Sequence, residues 1–108
     1  VSQKHHWVAY GKRLSGSITI DEGCTKAVLN HGASILPAGI IEVDGSFEPG
    51  DTVSIIAKGK EIARGLVNYS STDLLKIRGH NTQDIARVLE IDTTYDEVVH
   101  RNNLVIIH

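Results

Sequence analysis

Six histidines, one cysteine and thirteen carboxylates are the side chains from which this sequence would have to build any reactive site. The histidines are His5, His6, His31, His80, His100 and His108. No two of them stand four apart, the spacing that sets a pair of imidazoles on one helix face around a metal. His5 and His6 are adjacent, so on a strand they point to opposite faces. The lone Cys24 cannot close an internal disulfide or anchor a zinc site. It reads as a small buried hydrophobe, since a reactive thiol needs a His or Lys beside it. The carboxylate pairs Asp21-Glu22 and Asp96-Glu97 are the candidates for acid–base work. Asp21, however, stands where a helix cap belongs, and the second pair lies in a polar loop. The phosphate-cradling pattern G-x-x-x-x-G-K-[ST], the dinucleotide pattern G-x-G-x-x-G and the metal pattern H-E-x-x-H are all absent. The reading is a chain with no catalytic residues, no metal site and no cofactor of its own.

The elements that position these residues are short. Ser17-Ile18-Thr19-Ile20 is β-branched and strand-like, and Asp21 follows it as a helix N-cap. From there Cys24, Ala27, Val28 and His31 recur at helical spacing and form the expected inner face, with Gly32 in the position of a left-handed C-terminal residue. Ile40 to Gly45 reads as a strand entering a turn, and Glu48-Pro49-Gly50-Asp51 as a second turn. Val53, Ile55 and Ala57 alternate with Thr52, Ser54 and Ile56, which predicts a half-buried strand. Lys58-Gly59-Lys60 predicts a hairpin, with Glu61 to Tyr69 as the returning strand. A short helix is expected from Ser71 or Thr72 to about Arg78, ended by Gly79. Another starts at Asn81 or Thr82, with Ile85, Val88 and Leu89 inward. Leu104 to Ile107 reads as a buried closing strand. Five or six strands with small helices between them predict a compact, barrel-like α+β domain.

At 108 residues the chain holds one core. Its 11 Lys+Arg against 13 Asp+Glu give a formal charge of -2, unlike a dedicated nucleic-acid binder. No run of 18 apolar residues spans a membrane, and no signal peptide is evident. One cysteine fits a reducing cytoplasm. There is no methionine, even at position 1, so the chain reads as a piece of a longer protein. The charge is nevertheless uneven. Lys4, Lys12 and Arg13 stand without an acid in the first 20 residues, and Lys58, Lys60, Arg64, Lys76, Arg78 and Arg87 outnumber the acids of 58–87. Placed on one face, they would make a basic patch for phosphates. Trp7, Tyr10, Phe47, Tyr69 and Tyr95 form no cluster that marks a base-stacking platform.

The run Gly32-Ala33-Ser34-Ile35-Leu36-Pro37-Ala38-Gly39-Ile40, followed by Gly50-Asp51-Thr52-Val53 and Ile62-Ala63-Arg64-Gly65, resembles the PUA domain, a small RNA-binding-type module of many RNA-modifying enzymes. Gly65 would let a neighbour approach its strand closely. The string Glu61-Ile62-Ala63-Arg64-Gly65-Leu66-Val67-Asn68-Tyr69-Ser70-Ser71 is more specific and resembles the C-terminal PUA domain of the glutamate 5-kinase family. Gly16-Ser17-Ile18-Thr19-Ile20-Asp21-Glu22-Gly23 and the segment from Val99-His100-Arg101 through Asn103-Leu104-Val105 agree with it, and the likeness runs from about Trp7 to Ile107. Asn102 departs from the pattern, which usually has Asp beside His-Arg; this alters any contact made there without changing the fold.

The resemblance implies a mostly β fold with short helices (α+β), a PUA-like pseudo-barrel over 15–108, with 1–14 as a lead-in from a preceding kinase domain. It implies a parent that transfers the γ-phosphoryl of ATP to the side-chain carboxylate of glutamate with Mg²⁺, starts proline synthesis in the cytoplasm and is inhibited by proline. The active site and the proline site would lie outside this segment. Two roles follow. In the first, the module contacts the kinase domain of its own chain or of a neighbouring subunit, through Asn68, Tyr69, Ser70 and Ser71 and through His100 and Arg101. In the alternative it binds structured RNA. By position in the family, that contact falls on Lys26, Gly32, Pro37, Ala38, Gly39 and Arg64.

Overall fold

Hydrogen bonding in the central sheet follows from where the β-branched runs fall. The computed structural model describes residues 14–91 and 95–107. Lys4, His5, His6, Trp7, Tyr10, Lys12, Arg13 and His108, with most of the expected lead-in, lie outside them. The strands are β1 (Gly16–Ile20), β2 (Ile40–Gly45), β3 (Thr52–Ala57), β4 (Lys60–Leu66) and β5 (Leu104–Ile106). They form one mixed sheet of order β2-β1-β3-β4-β5, in which only the central β1–β3 pair is parallel. Helix α1 (Glu22–His31) follows β1, α2 (Ser71–Ile77) follows β4, and the short α3 (Ile85–Leu89) follows α2. Turns of 3₁₀ helix occupy Pro37–Gly39, Thr82–Asp84 and Arg101–Asn103. The expected mostly β architecture with short helices is what forms.

Two expectations about strands need correction. β3 is not half-buried: Thr52 and Ser54 are buried along with Val53, Ile55 and Ala57. The strand is central, paired at both edges by β1 and β4, and on its second face the Ser54 hydroxyl is bonded to the Glu61 carboxylate. The strand after the hairpin stops at Leu66 rather than Tyr69. Beyond it, the Asn68 N–H donates to the Val98 carbonyl and Ser70 caps α2, its hydroxyl accepting from the Asp73 N–H. β5 is an edge strand, buried at Leu104 and half-buried at Val105 and Ile106. The hairpin turn is as expected, with Lys58 and Gly59 both at positive φ (52° and 74°), the pattern that matches strand twist.

The core joins Ile18, Val28, Ile35, Ile55, Leu74, Ile77, Ile85 and Val99, drawn from nearly every element. Gly65 on β4 is what lets the last segment reach it. A Cβ there would stand 2.5 Å from Val99 Cγ1 and 3.1 Å from the Asn103 carbonyl oxygen. Only glycine admits that approach.

Candidate functional site

Helix α1 begins and ends as its sequence dictates. The Asp21 carboxylate accepts from the Cys24 N–H at 2.7 Å. Gly32 closes the helix at φ 60°, with its N–H directed to the Ala27 and Val28 carbonyls. The face read as inward divides in two. Val28 enters the core, whereas Gly23, Cys24 and Ala27 line an open cleft of about 360 Å³. His31, expected on the inner face, is exposed at the last turn. The opposite wall is the connection to β2: Ala33, Ser34, Leu36, Ala38 and Gly39. The walls are therefore small side chains, backbone and one exposed leucine.

This wall is held from three sides. Ile35 forms an antiparallel bridge with Val99, its N–H 2.9 Å from the Val99 carbonyl oxygen. The Gly39 carbonyl accepts from the Asp21 N–H at 2.9 Å, tying the wall to the helix cap. The Gly79 N–H donates to the Pro37 carbonyl at 2.8 Å. Beside it, Arg78 Nη1 donates to the Ile41 carbonyl. Ile41 is the extra residue of a β-bulge, because Thr19 pairs with Glu42 and Ile20 with Ile40. A bulge leaves ladder groups unpaired, and Arg78 supplies one partner. Gly39 sits so close to α1 that a Cβ would lie 2.7 Å from Cys24 Cβ.

The cleft contains little reactive chemistry. Burial, then the neighbouring Asp21 carboxylate, push the Cys24 thiol up to about 11, against a lowering by a backbone hydrogen bond at Leu36. The thiol stays protonated at neutral pH, which fits the reading of Cys24 as a small hydrophobe. Among the described residues no group of His, Cys, Asp or Glu is arranged to hold a metal. Lys26 pairs with Glu22 at 3.4 Å on the solvent side of α1, both side chains about two-thirds exposed. Such a pair is weak and leaves the lysine available.

The residues expected to share an RNA contact do not all meet. Ala38 and Gly39 line the cleft, Gly32 and Pro37 shape the wall, and Lys26 neighbours Ala27 on α1. Arg64 is elsewhere. On β4 it alternates with Ala63 and Gly65, which face the core, so it projects from the other side of the sheet. There Arg64 Nε donates to Glu61 at 3.0 Å, and Ser54 donates to the same carboxylate. These bonds, led by that from Arg64, hold the Glu61 carboxyl below its ordinary value.

The second set is largely spent on the fold. The Asn68 side-chain amide donates to the Glu97 carbonyl at 2.9 Å. Tyr69 is buried, donates its hydroxyl to the Tyr95 carbonyl and meets the Tyr95 ring edge-on. Ser70 is the α2 cap, and buried Ser71 accepts from the Phe47 N–H at 3.1 Å. Tyr69 and Ser71 are thus buried within the fold of this chain. His100 Nδ1 accepts from the Asn102 N–H at 3.1 Å. Arg101 is different: its N–H donates to Ser34 Oγ at 2.8 Å, and Ser34 lines the cleft. Expected as one contact residue among six, it stands at the rim of the cleft assigned to the other set. No sequence signal links positions so far apart.

The PUA domain family model matches residues 16–89. Over 108 residues the chain is 44% identical to the glutamate 5-kinase of Thermoanaerobacter sp. (strain X514), which covers 99% of this chain and 29% of that protein. Over 107 residues it is 48% identical to the glutamate 5-kinase of Dictyoglomus turgidum, covering 98% and 29%. The chain thus spans about 29% of the length of these relatives. Among solved structures, a PUA domain from Aeropyrum pernix K1, in a tartrate complex, superposes with a TM-score of 0.56 at 22% identity, covering 82% of this chain and 44% of that one. A conserved PUA domain protein from Thermoplasma acidophilum gives 0.54 at 20% identity, covering 100% and 57%. These two share the fold.

Proposed function

The chain belongs to the PUA domain family, and we propose that it is the non-catalytic C-terminal module of a glutamate 5-kinase, docking through the α1 cleft onto the kinase part of its own chain or of a neighbouring subunit. The parent would phosphorylate glutamate with ATP and Mg²⁺ in the cytoplasm, at the start of proline biosynthesis. The described residues do not fit ATP–Mg²⁺: the sequence lacks a phosphate-cradling loop and no metal-holding group is present among them. No step of that reaction is therefore derived through this chain. The observation that carries the docking reading is the cleft itself, walled by small side chains, Leu36 and backbone, with Asp21 and Ser34 as its polar members, around a protonated thiol. Such a surface receives an apolar side chain rather than performing chemistry. No helix among the described residues is long and apolar enough to cross a membrane.

The test is to fill the cleft in the full-length enzyme with Ala27→Trp. The expected result is altered subunit assembly by light scattering or altered inhibition by proline, at an unchanged melting temperature of the module. Identical assembly and inhibition would sink the docking reading. A second reading, RNA binding, is favoured by the exposed Lys26 and Arg101 beside the same cleft. Bulk tRNA titrated at rising salt tests it. Affinity that falls steeply with salt, and whose salt slope drops in Lys26→Ala, supports that reading.

A further inference from the structure

The second face of the sheet, turned away from the core, is sheltered. Along β3, Thr52, Ser54 and Ile56 alternate with Val53, Ile55 and Ala57, which enter the core. Register sets Ser17 and Thr19 of β1 beside Ser54 and Ile56, and Leu66 and Arg64 of β4 beside Thr52 and Ser54. None of these residues is exposed, and Thr52 and Ser54 are only 1% and 7% accessible. The described helices do not supply this cover. Their buried apolar side chains, Val28, Leu74, Ile77 and Ile85, all join the core on the first face. The Arg64–Glu61 pair accounts for Ser54, which donates to Glu61, but that pair is itself sheltered, each side chain only 27% exposed. Thr52 is left unexplained: its hydroxyl is buried and has no hydrogen-bond partner, so water does not reach it.

We propose that this face is a docking surface for residues 1–13 of the same chain, with Trp7 as the side chain that seals it. The inference is independent of the α1 cleft. Three observations select this occupant. The first is where the segment ends. The Ser15 N–H donates to the Thr52 carbonyl at 2.9 Å and Gly16 pairs with Val53, so the chain arrives at the middle of the sheet, beside Thr52, and not at an edge. The second is reach. Thirteen extended residues span about 40 Å, against about 20 Å across five strands. The third is charge. The segment carries Lys4, Lys12 and Arg13 and no acid. The face continues onto edge strand β2 at Glu42 and Asp44, the register partners of Thr19 and Ser17. Both carboxylates are exposed, and neither forms an ion pair among the described residues. Opposite charges set the segment's placement, and Trp7, Val8 and Tyr10 bring apolar surface to the half-buried Ile56 and Leu66. A second copy stacked on this face fits less well, because it would add the same two carboxylates rather than cations.

Trp7 is the only tryptophan of the chain and reports on the contact directly. The experiment measures acrylamide quenching of its fluorescence in this 108-residue chain, native and in urea. A packed segment opens only part of the time, so quenching at least about threefold weaker in the native chain is expected. Two sets of variants place the contact. Glu42→Lys with Asp44→Lys changes exposed edge positions, leaves the melting temperature of the core in place and should raise quenching about twofold as the attraction is lost. Ile56→Arg puts a cation under the basic segment and should bring quenching close to the unfolded level; if that variant does not fold, the edge variant still decides. Native quenching equal to that in urea overturns the proposal. Shielding that survives both folded variants places Trp7 elsewhere and overturns it too. Shielding that disappears on dilution, in step with a dimer dissociating in sedimentation, makes a second copy the cover, and the proposal is wrong.

Discussion

Replacing Gly65 by alanine puts a methyl group where the structure has no room for one. The new Cβ would lie 2.5 Å from Val99 Cγ1, 3.1 Å from the Asn103 carbonyl oxygen and 3.2 Å from Leu104 Cδ1. Carbon atoms rest at about 3.5–4 Å, so the Val99 side chain would have to retreat by roughly 1 Å. Val99 is fully buried and bridged to Ile35, and the Asn103 oxygen is backbone. Neither can swing away freely. Overpacking of this kind costs about 1–3 kcal/mol, and removing glycine from a strand returns about 0.5–1 kcal/mol. The net loss is about 1 kcal/mol, within a span of about 0–2.5 kcal/mol, and each kcal/mol lowers the melting temperature by roughly 4–8 °C in a domain of this size. Calorimetry and urea denaturation measure it. The double variant Gly65→Ala/Val99→Ala should lose less than the sum of the two single losses, because the second change removes the clashing methyl. The clash also pushes on the Arg101–Asn103 turn, so the amide of Arg101 should lose its exchange protection by Ser34. A Gly65→Ala protein that melts at or above the parental temperature would refute this account of the close approach.

Gly32→Ala should cost about 1–2 kcal/mol, because the position needs φ +60° and has open space around it, leaving only a backbone penalty. Gly32→Asn should fall between the two in denaturant midpoint. The Cys24 thiol, raised to about 11 from 9.0, should show N-ethylmaleimide rates that still climb with pH above 9; a plateau by pH 9 contradicts its environment. By the same sign, its contribution to stability is intact below pH 9 and shrinks from there through about pH 11. Glu61 is held below 4.5 chiefly by Arg64, so its contribution is present above that value and lost as pH falls below it. Glu61→Gln should melt lower than the parent at neutral pH and lose less on acidification. Arg78→Met removes the donor to the bulged Ile41 carbonyl and should cost about 0.5–1.5 kcal/mol in urea denaturation.

The local elements were legible because their signals are local. Asp21 and Gly32 bracket α1 with a side-chain cap and a left-handed close, and Lys58-Gly59 supplies the backbone of a tight hairpin. Gly65 was legible as a point of close approach, though not what approaches it. Strand burial at β3 departs from its alternation, because Thr52 and Ser54 are buried on the face opposite Val53 and Ile55, and alternation does not record what covers that face. The shorter β4 follows from bonds at Val67 and Asn68 to Asp51 and Val98, none of which has a signature in neighbouring residues.

The cleft was hidden for a further reason. Cys24, Ala27 and Val28 form one apolar stripe in sequence, yet only Val28 is buried in the core; Cys24 packs against that core from its edge, and both Cys24 and Ala27 line an open cavity. Helical periodicity records which side of a helix avoids water, and small residues satisfy it equally well beside a void. What decides between the two is the wall opposite, and that wall is set by bonds across 37 positions (Arg78 to Ile41) and 67 positions (Arg101 to Ser34). The first bond is made by the Arg78 guanidinium, which reads in sequence only as surface charge, and the second by the backbone N–H of Arg101. One caps a bulge that fixes the start of β2, and the other ties the last segment to the cleft. A charged residue of this fold therefore has to be judged by the group it meets, since Arg64, Arg78 and Arg101 look alike in sequence, yet Arg64 meets the Glu61 carboxylate on a sheet face, Arg78 a backbone carbonyl at a bulge, and Arg101 offers only its backbone N–H to Ser34.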